Sequence, residues 1–353
     1  MLLNFFLISW LAADLAYYPL ELCKGLTSHR RTLTVEKIYR AIDIPGMIEP
    51  NEQTLLEQLA REIQFDENES VVEFGTFFGR STASISAGLE SNETFDRNSS
   101  FYAYDSFECD LEGGFYRHVR ANAVRANVTD LLLKRGNRVD FFPIFEKYLD
   151  HYIKKGILKP QKCELKNSFP KSEAIRLMHI DSPKFYDEFR LILFRFFPNL
   201  SVEGWVVFQD FFYHWSATLI AAFGIMFKEG LISIESSAAS SLACRVIKKV
   251  DVDQIQKIDD QMSAENSVPE SIDFLIKSLK EMELDRKTKF LPRLNLAKIQ
   301  WLYGNARYSD SAKEVAICLG SSGNVEISII NDFLEMMGEG FSIRRLYEKD
   351  HRS

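Results

Sequence analysis

Residues 71–82 read Val71-Val72-Glu73-Phe74-Gly75-Thr76-Phe77-Phe78-Gly79-Arg80-Ser81-Thr82, and the fold turns on this stretch. Val71 to Phe74 is a short buried strand that carries an acid near its end. Gly75 permits a sharp turn that a side chain would obstruct. Gly79 lies where the following helix presses on the sheet, and Ser81 and Thr82 open a helical run through Leu89. Strand, tight turn and helix N-terminus together present bare N–H groups and a positive dipole end. That combination is a nucleotide-type pocket at the carboxyl edge of a parallel sheet. The spacing is Glu-x-Gly-x-x-x-Gly, and Phe77 stands where a dinucleotide fingerprint has its second glycine, which argues against NAD. Taken alone, the motif is also compatible with a plain strand–turn–helix of any α/β protein.

Working toward the C-terminus, strands alternate with helices. The strand patterns are 101–104, ended by Asp105; 139–143; 175–180, ended by Asp181; and 205–208, which follows a turn at Gly204 and is ended by Asp210. Helical patterns cover 115–133, the segment up to about 155, 185–196 and 216–228. This predicts an α/β protein with a doubly wound, mostly parallel sheet. Two further strand-like runs, 231–235 and 242–248, are separated by Ser236-Ser237-Ala238-Ala239-Ser240-Ser241. That connection is too short for a crossover helix, so the sheet should end in an antiparallel hairpin.

The flanks read as helical extensions. Residues 1–65 carry apolar residues at helical spacing over Val35–Ile42 and Glu52–Ile63, with Pro45, Gly46 and Pro50 between. They are expected to form a lid. The apolar run from Leu2 to Ala13 lacks a basic leader, is interrupted by Asp14 and is too short to span a membrane. It reads as a helix packed on the main domain. Residues 251–353 carry apolar stripes over 272–282, 294–308, 312–319 and 325–337. The polar stretch beginning at Asp251 reads as a boundary with few contacts across it. Truncation near Asp259 is therefore expected to be tolerated, and removal of residues 1–65 is not.

Composition narrows the class. With 46% hydrophobic and 26% charged residues among 353, this is ordinary globular chemistry. A net charge of −7 gives no basic footprint for nucleic acid. The five cysteines, Cys23, Cys109, Cys163, Cys244 and Cys318, show no metal or redox spacing, and a reducing cytoplasm is the simplest location. A homo-oligomer is compatible with the sequence.

Several residues are placed to carry chemistry. Asp105, at a strand end beyond the glycine turn, suits a ribose diol, and Phe107 suits a base; capping of the next helix is the other reading of Asp105. Asp181 and Asp210 end neighbouring strands and suit Mg²⁺ or the charged part of a ligand. His179 leaves its strand on the same face as Asp181 and reads as a base, an orienting group or a core histidine. Tyr213, His214 and Trp215 follow Asp210 and either line an acceptor site or pack under the next helix.

Four stretches in order resemble one family: residues 71–82, Tyr104-Asp105-Ser106-Phe107-Glu108, Leu177-Met178-His179-Ile180-Asp181, and Pro198 through Asp210. The family is the class I S-adenosylmethionine-dependent methyltransferases, and within it the macrocin O-methyltransferase-like branch. The resemblance covers about 70 to 250 and implies a Rossmann-like domain over 66–250 that binds S-adenosylmethionine. It implies that Glu73, Gly75, Thr76, Gly79 and Ser81 hold the amino-acid end of the cofactor. By the same resemblance Asp105 takes the ribose, with Ser106 and Phe107 near the adenine, and Asp181 contributes. Asp181 and Asp210 correspond to metal ligands. Two positions depart from the branch: Gln209 replaces the first of a pair of acids, and Pro183 replaces the acid that acts as base. These departures count against Mg²⁺ and leave Asp181, His179 and His214 as the catalytic candidates. The implied activity is methylation of a small-molecule acceptor, on a hydroxyl. The rival readings are a non-catalytic cofactor-binding protein and a nicotinamide-dependent oxidoreductase.

Overall fold

The computed structural model describes residues 38–96, 98–213, 216–264, 266–284 and 287–321. The N-terminal apolar run, Val35, His214, Trp215 and the stripe over 325–337 lie outside these residues. In chain order the main elements are α1 (Pro50–Glu62), β1 (Glu69–Phe74), α2 (Arg80–Glu90), β2 (Ser100–Asp105), β3 (Glu108–Asp110), α3 (Gly114–Arg125), β4 (Leu133–Arg135), β5 (Arg138–Asp140), α4 (Phe142–Lys154) and β6 (Leu158–Lys162). There follow β7 (Ala174–Ile180), α5 (Tyr186–Arg195), β8 (Leu200–Phe208), α6 (Ala217–Lys228), β9 (Ile232–Ala238), β10 (Ser241–Val246), α7 (Val252–Met262), α8 (Ser267–Lys280), α9 (Lys287–Gly304) and α10 (Tyr308–Ser321).

Seven strands form one sheet in the order β6-β2-β1-β7-β8-β10-β9. From β6 through β8 all pairs are parallel, and β10 runs antiparallel between β8 and β9. The expected hairpin is present, with Leu242 opposite Ser237 on one side and Phe208 on the other. The chain travels outward from β1 to β2 and β6, then returns to place β7 on the other side of β1. The direction reverses between β1 and β7, and it is at such a point that an open parallel sheet binds ligands.

Two local expectations are corrected. Residues 138–140 are not the third strand of this sheet; they pair antiparallel with β3 and β4 in a separate three-stranded sheet. The true edge strand is β6, Leu158-Lys-Pro-Gln-Lys162, whose proline and lysines suit an edge. Residues 38–49 hold a single 3-10 turn at Ala41–Asp43 where the pattern suggested helix through Ile42.

Two hydrophobic layers flank the sheet. One face packs against α1, α2 and α4 through Leu56, Ala60, Ile85 and Leu149. The other packs against α5 and α6. Helix α6 is apolar nearly all round, so it needs cover on both sides. Its outer cover is α8, with Val268, Ile272, Leu275, Ile276 and Leu279 in the same continuous core as the sheet. Helix α7 is tied to α5 as well. Arg190 donates Nε and Nη2 to Asp259 Oδ1 and Oδ2 at 2.7 and 2.8 Å, and the Tyr186 hydroxyl donates to Oδ1 at 2.9 Å. The polar stretch at 251–260 is therefore the solvated face of a packed helix, and the expected break near Asp259 is absent. No helix among the described residues is long and apolar enough to cross a membrane.

Candidate functional site

The carboxyl ends of β1, β2, β7 and β8 bring the predicted residues to one edge. Gly75 closes β1 at φ +83°, and its N–H donates to Tyr104 O at 3.0 Å. A Cβ there would stand 2.8 Å from both the Cβ and the backbone N of Ser182. Gly79, at φ +94°, caps α2 and leaves room for Leu149 and Phe145 of α4. Phe77, Phe107 and Asp210 also have positive φ, so backbone strain gathers at this edge, as it does at functional sites.

Asp105 ties the edge together. Its Oδ2 accepts the N–H groups of Thr76 and Phe77 at 2.9 and 3.0 Å, and its Oδ1 accepts that of Phe107 at 2.7 Å. Burial raises its carboxyl above the usual carboxylate range against these three donors. The residue is half-buried, and Oδ1 accepts one hydrogen bond among those found, which leaves it further acceptor capacity. The buried Thr76 hydroxyl has no partner. Ser106 Oγ exchanges hydrogen bonds with the backbone of Glu108 at 3.2 and 3.4 Å. Phe107 is fully buried among Phe141, Phe142 and Phe145, beneath the edge. Ser81 is buried in the first turn of α2.

Glu73 and His179 sit side by side on β1 and β7, fully buried. Glu73 accepts from Thr82 Oγ1 at 2.6 Å and lies 2.9 Å from His179 Nδ1; His179 Nε2 has no partner. Burial pulls the His179 pKa down, but the hydrogen bond and charge of Glu73 outweigh it, and the net shift is upward from 6.5. A histidine whose folded pKa is raised adds stability that is full below its unfolded pKa and is lost as pH rises through the folded value. The melting temperature of the wild type relative to Glu73→Gln should therefore decline as pH rises above 6.5. A pH-independent difference in thermal melts would contradict the pairing.

The third cluster joins Asp181 and Asp210, both expected from the sequence, to Lys184, which was missed. Lys184 Nζ donates to Asp181 Oδ1 and to Asp210 Oδ2, each at 2.8 Å. Burial alone would lower the lysine pKa; the two carboxylates raise it. Burial holds the Asp210 carboxyl above its usual range against the opposing charge of Lys184. The Ser240 hydroxyl is 3.4 Å from Asp210 Oδ1, and Ser240 and Ser241 both donate to Glu52 Oε1, at 2.9 and 2.7 Å. Glu52 is a buried carboxylate of α1, pushed upward in pKa by burial. The one available signal for Lys184 was a cation three residues beyond the strand-end acid in Asp181-Ser-Pro-Lys184. Glu52 meets Ser240 and Ser241 across most of the chain, and no local pattern announces that.

The donor set does not fit a divalent ion. An ammonium already sits between the two carboxylates, and Gln209 offers only a neutral amide oxygen, which is buried without a partner. Among the described residues no group of three or more His, Cys, Asp or Glu side chains is arranged to hold a metal. The glycine turn, the unpartnered Thr76 hydroxyl and the spare acceptor on Asp105 do fit a nucleoside-bearing ligand.

Residues 72–211 match the model of a family described as "Methyltransferase domain". The matched stretch runs from Val72 within β1 to Phe211 just after β8, so it contains Gly75, Asp105, Asp181, Lys184 and Asp210. Among solved structures, the O-methyltransferase NovP is 14% identical, with 56% of this chain and 78% of that chain covered and a TM-score of 0.39. The apo structure of CalS11, a TDP-rhamnose 3'-O-methyltransferase of calicheamicin biosynthesis, is 15% identical over 55% and 76%, at a TM-score of 0.35. The SAH-bound methyltransferase PaMTH1 of Podospora anserina is 12% identical over 57% and 80%, at 0.34. No curated protein matches the chain.

Proposed function

We propose that the protein is an S-adenosylmethionine-dependent methyltransferase acting on a hydroxyl of a small-molecule acceptor, of the macrocin O-methyltransferase-like kind that its motifs resemble. The observation that carries this reading is the Asp105 clasp. One strand-end carboxylate orders the glycine turn of β1 at the sheet's reversal point, inside the stretch that matches a methyltransferase domain. Gly75, Thr76, Gly79 and Ser81 shape the cradle for the amino-acid end of the cofactor. Asp105 takes the ribose, with Ser106 near the adenine. Glu73 and Phe107, both buried, support the cradle from below. Bound S-adenosylmethionine supplies an activated methyl group on sulfur.

The chain then has to position the acceptor and remove a proton. Asp181 and Asp210 are the carboxylates at the edge, and either is placed to receive that proton. His179 has no exposed surface, so its role is to position β7 through Glu73. His214, four residues after Asp210 in the sequence, remains a candidate. Helix α1 acts as part of a lid; Glu52 reaching Ser240 and Ser241 supports that role.

Asp105→Asn removes one charged acceptor while keeping the shape. Affinity for S-adenosylhomocysteine should fall roughly 10- to 150-fold, the equivalent of about 1.5–3 kcal/mol for a hydrogen bond to a charged group. Unchanged affinity by calorimetry, in a variant that melts like the wild type, would remove Asp105 from the site.

A further inference from the structure

We infer that the ammonium of Lys184 is a resident cation, filling the position between Asp181 and Asp210 that a divalent ion would otherwise take. Three observations carry this. Nζ is 2.8 Å from one oxygen of each carboxylate, so a single point charge satisfies both strand ends. The three side chains are between a fifth and a third exposed, so the ammonium is shielded from solvent without being sealed in. The remaining oxygen of Asp210 faces the Ser240 hydroxyl at 3.4 Å, and the adjacent Gln209 is neutral.

The charges decide the competition. Hard cations want several charged oxygens, and Mg²⁺ also parts reluctantly with its waters. An incoming ion would meet two carboxylates already half neutralised and an ammonium a few ångströms away. It would have to expel the lysine from both oxygens, and the lysine is covalently tethered three residues from Asp181 and so is always present at high local concentration. The edge therefore works without metal, and its two carboxylates are held apart and aimed by a side chain. This depends on the proposed methyl-transfer reading only for what the edge is used for; the cation claim itself concerns the carboxylate pair.

The test is Mn²⁺ binding, followed by calorimetry and by the electron paramagnetic resonance of the free ion. Wild-type protein should show no saturable site at the pair. Lys184→Met and Lys184→Gln, which remove the charge but keep much of the side-chain volume, should each gain one site, at least about tenfold tighter than any wild-type binding. Adding Asp210→Asn to either variant should abolish the gain. The same ion should raise the melting temperature of the lysine variants and leave the wild type unmoved. Folded lysine variants that gain no site overturn the inference. Saturable wild-type binding that Asp210→Asn removes also overturns it, and that arm needs no lysine variant to fold. S-adenosylhomocysteine titrations of the same samples report separately on the cofactor site, so loss of one reading is distinguishable from loss of the other.

Discussion

A chain ending at residue 250 should not fold. Ile255, Ile258, Ile272, Leu275, Leu279 and Leu294 are each at most 1% exposed and belong to the core that includes the sheet. Burial of one such side chain is worth about 1.5–3 kcal/mol, so these six alone represent about 9–18 kcal/mol of transfer free energy. The conformational entropy released with the deleted residues offsets part of that. What remains is comparable to the whole stability of an ordinary domain, about 5–15 kcal/mol. The truncation also uncovers the face of α6 on which Gly224 abuts Ser271 and Phe227 packs on Phe274 of α8. The truncated protein should be insoluble or lack a cooperative melt by circular dichroism. A soluble, cooperatively melting fragment that ends at 250 would show that α7 to α9 are dispensable.

Gly75→Val should abolish cofactor binding. Its φ of +83° is a region that β-branched residues do not tolerate, and the new Cβ would stand 2.8 Å from the Ser182 backbone nitrogen. Backbone does not swing away as the end of a flexible side chain does. The β1 turn must move, and with it the Thr76 and Phe77 N–H groups that Asp105 holds. The loss in affinity should exceed the roughly 10- to 150-fold expected of Asp105→Asn, because the cradle itself is displaced. Gly136→Val is the control. That glycine also has a positive φ, +61°, but no atom lies within 4 Å of its would-be Cβ. It should lose some thermal stability and bind normally. Equal binding by the two variants would mean that Gly75 is not part of the cradle.

How much was legible in the sequence depended on how local each feature was. The β1 turn, the acid-ended strands β2 and β7 and the closing hairpin all have short-range signatures, and each appeared where the pattern put it. Strand β6 escaped because an edge strand with Lys159, Pro160 and Lys162 reads as loop, while the run over 139–143 read as the third strand. The C-terminal cover was misread because α7 presents mostly polar residues, with Ile255 and Ile258 alone in its buried set. The better signal lay in α6, whose apolar girdle demands a second partner. At the site, residue identity located Asp105, Asp181 and Asp210 but not their partners. The Lys184 bridge and the Glu52–Ser240 contact form only when the fold brings distant segments together.

The most direct test of the central claim is a calorimetric titration of the full-length wild-type protein with S-adenosylhomocysteine, with NADH titrated in parallel. The account predicts saturable binding of S-adenosylhomocysteine at one site per chain and no heat from NADH. Saturable binding of NADH with none of S-adenosylhomocysteine would contradict it.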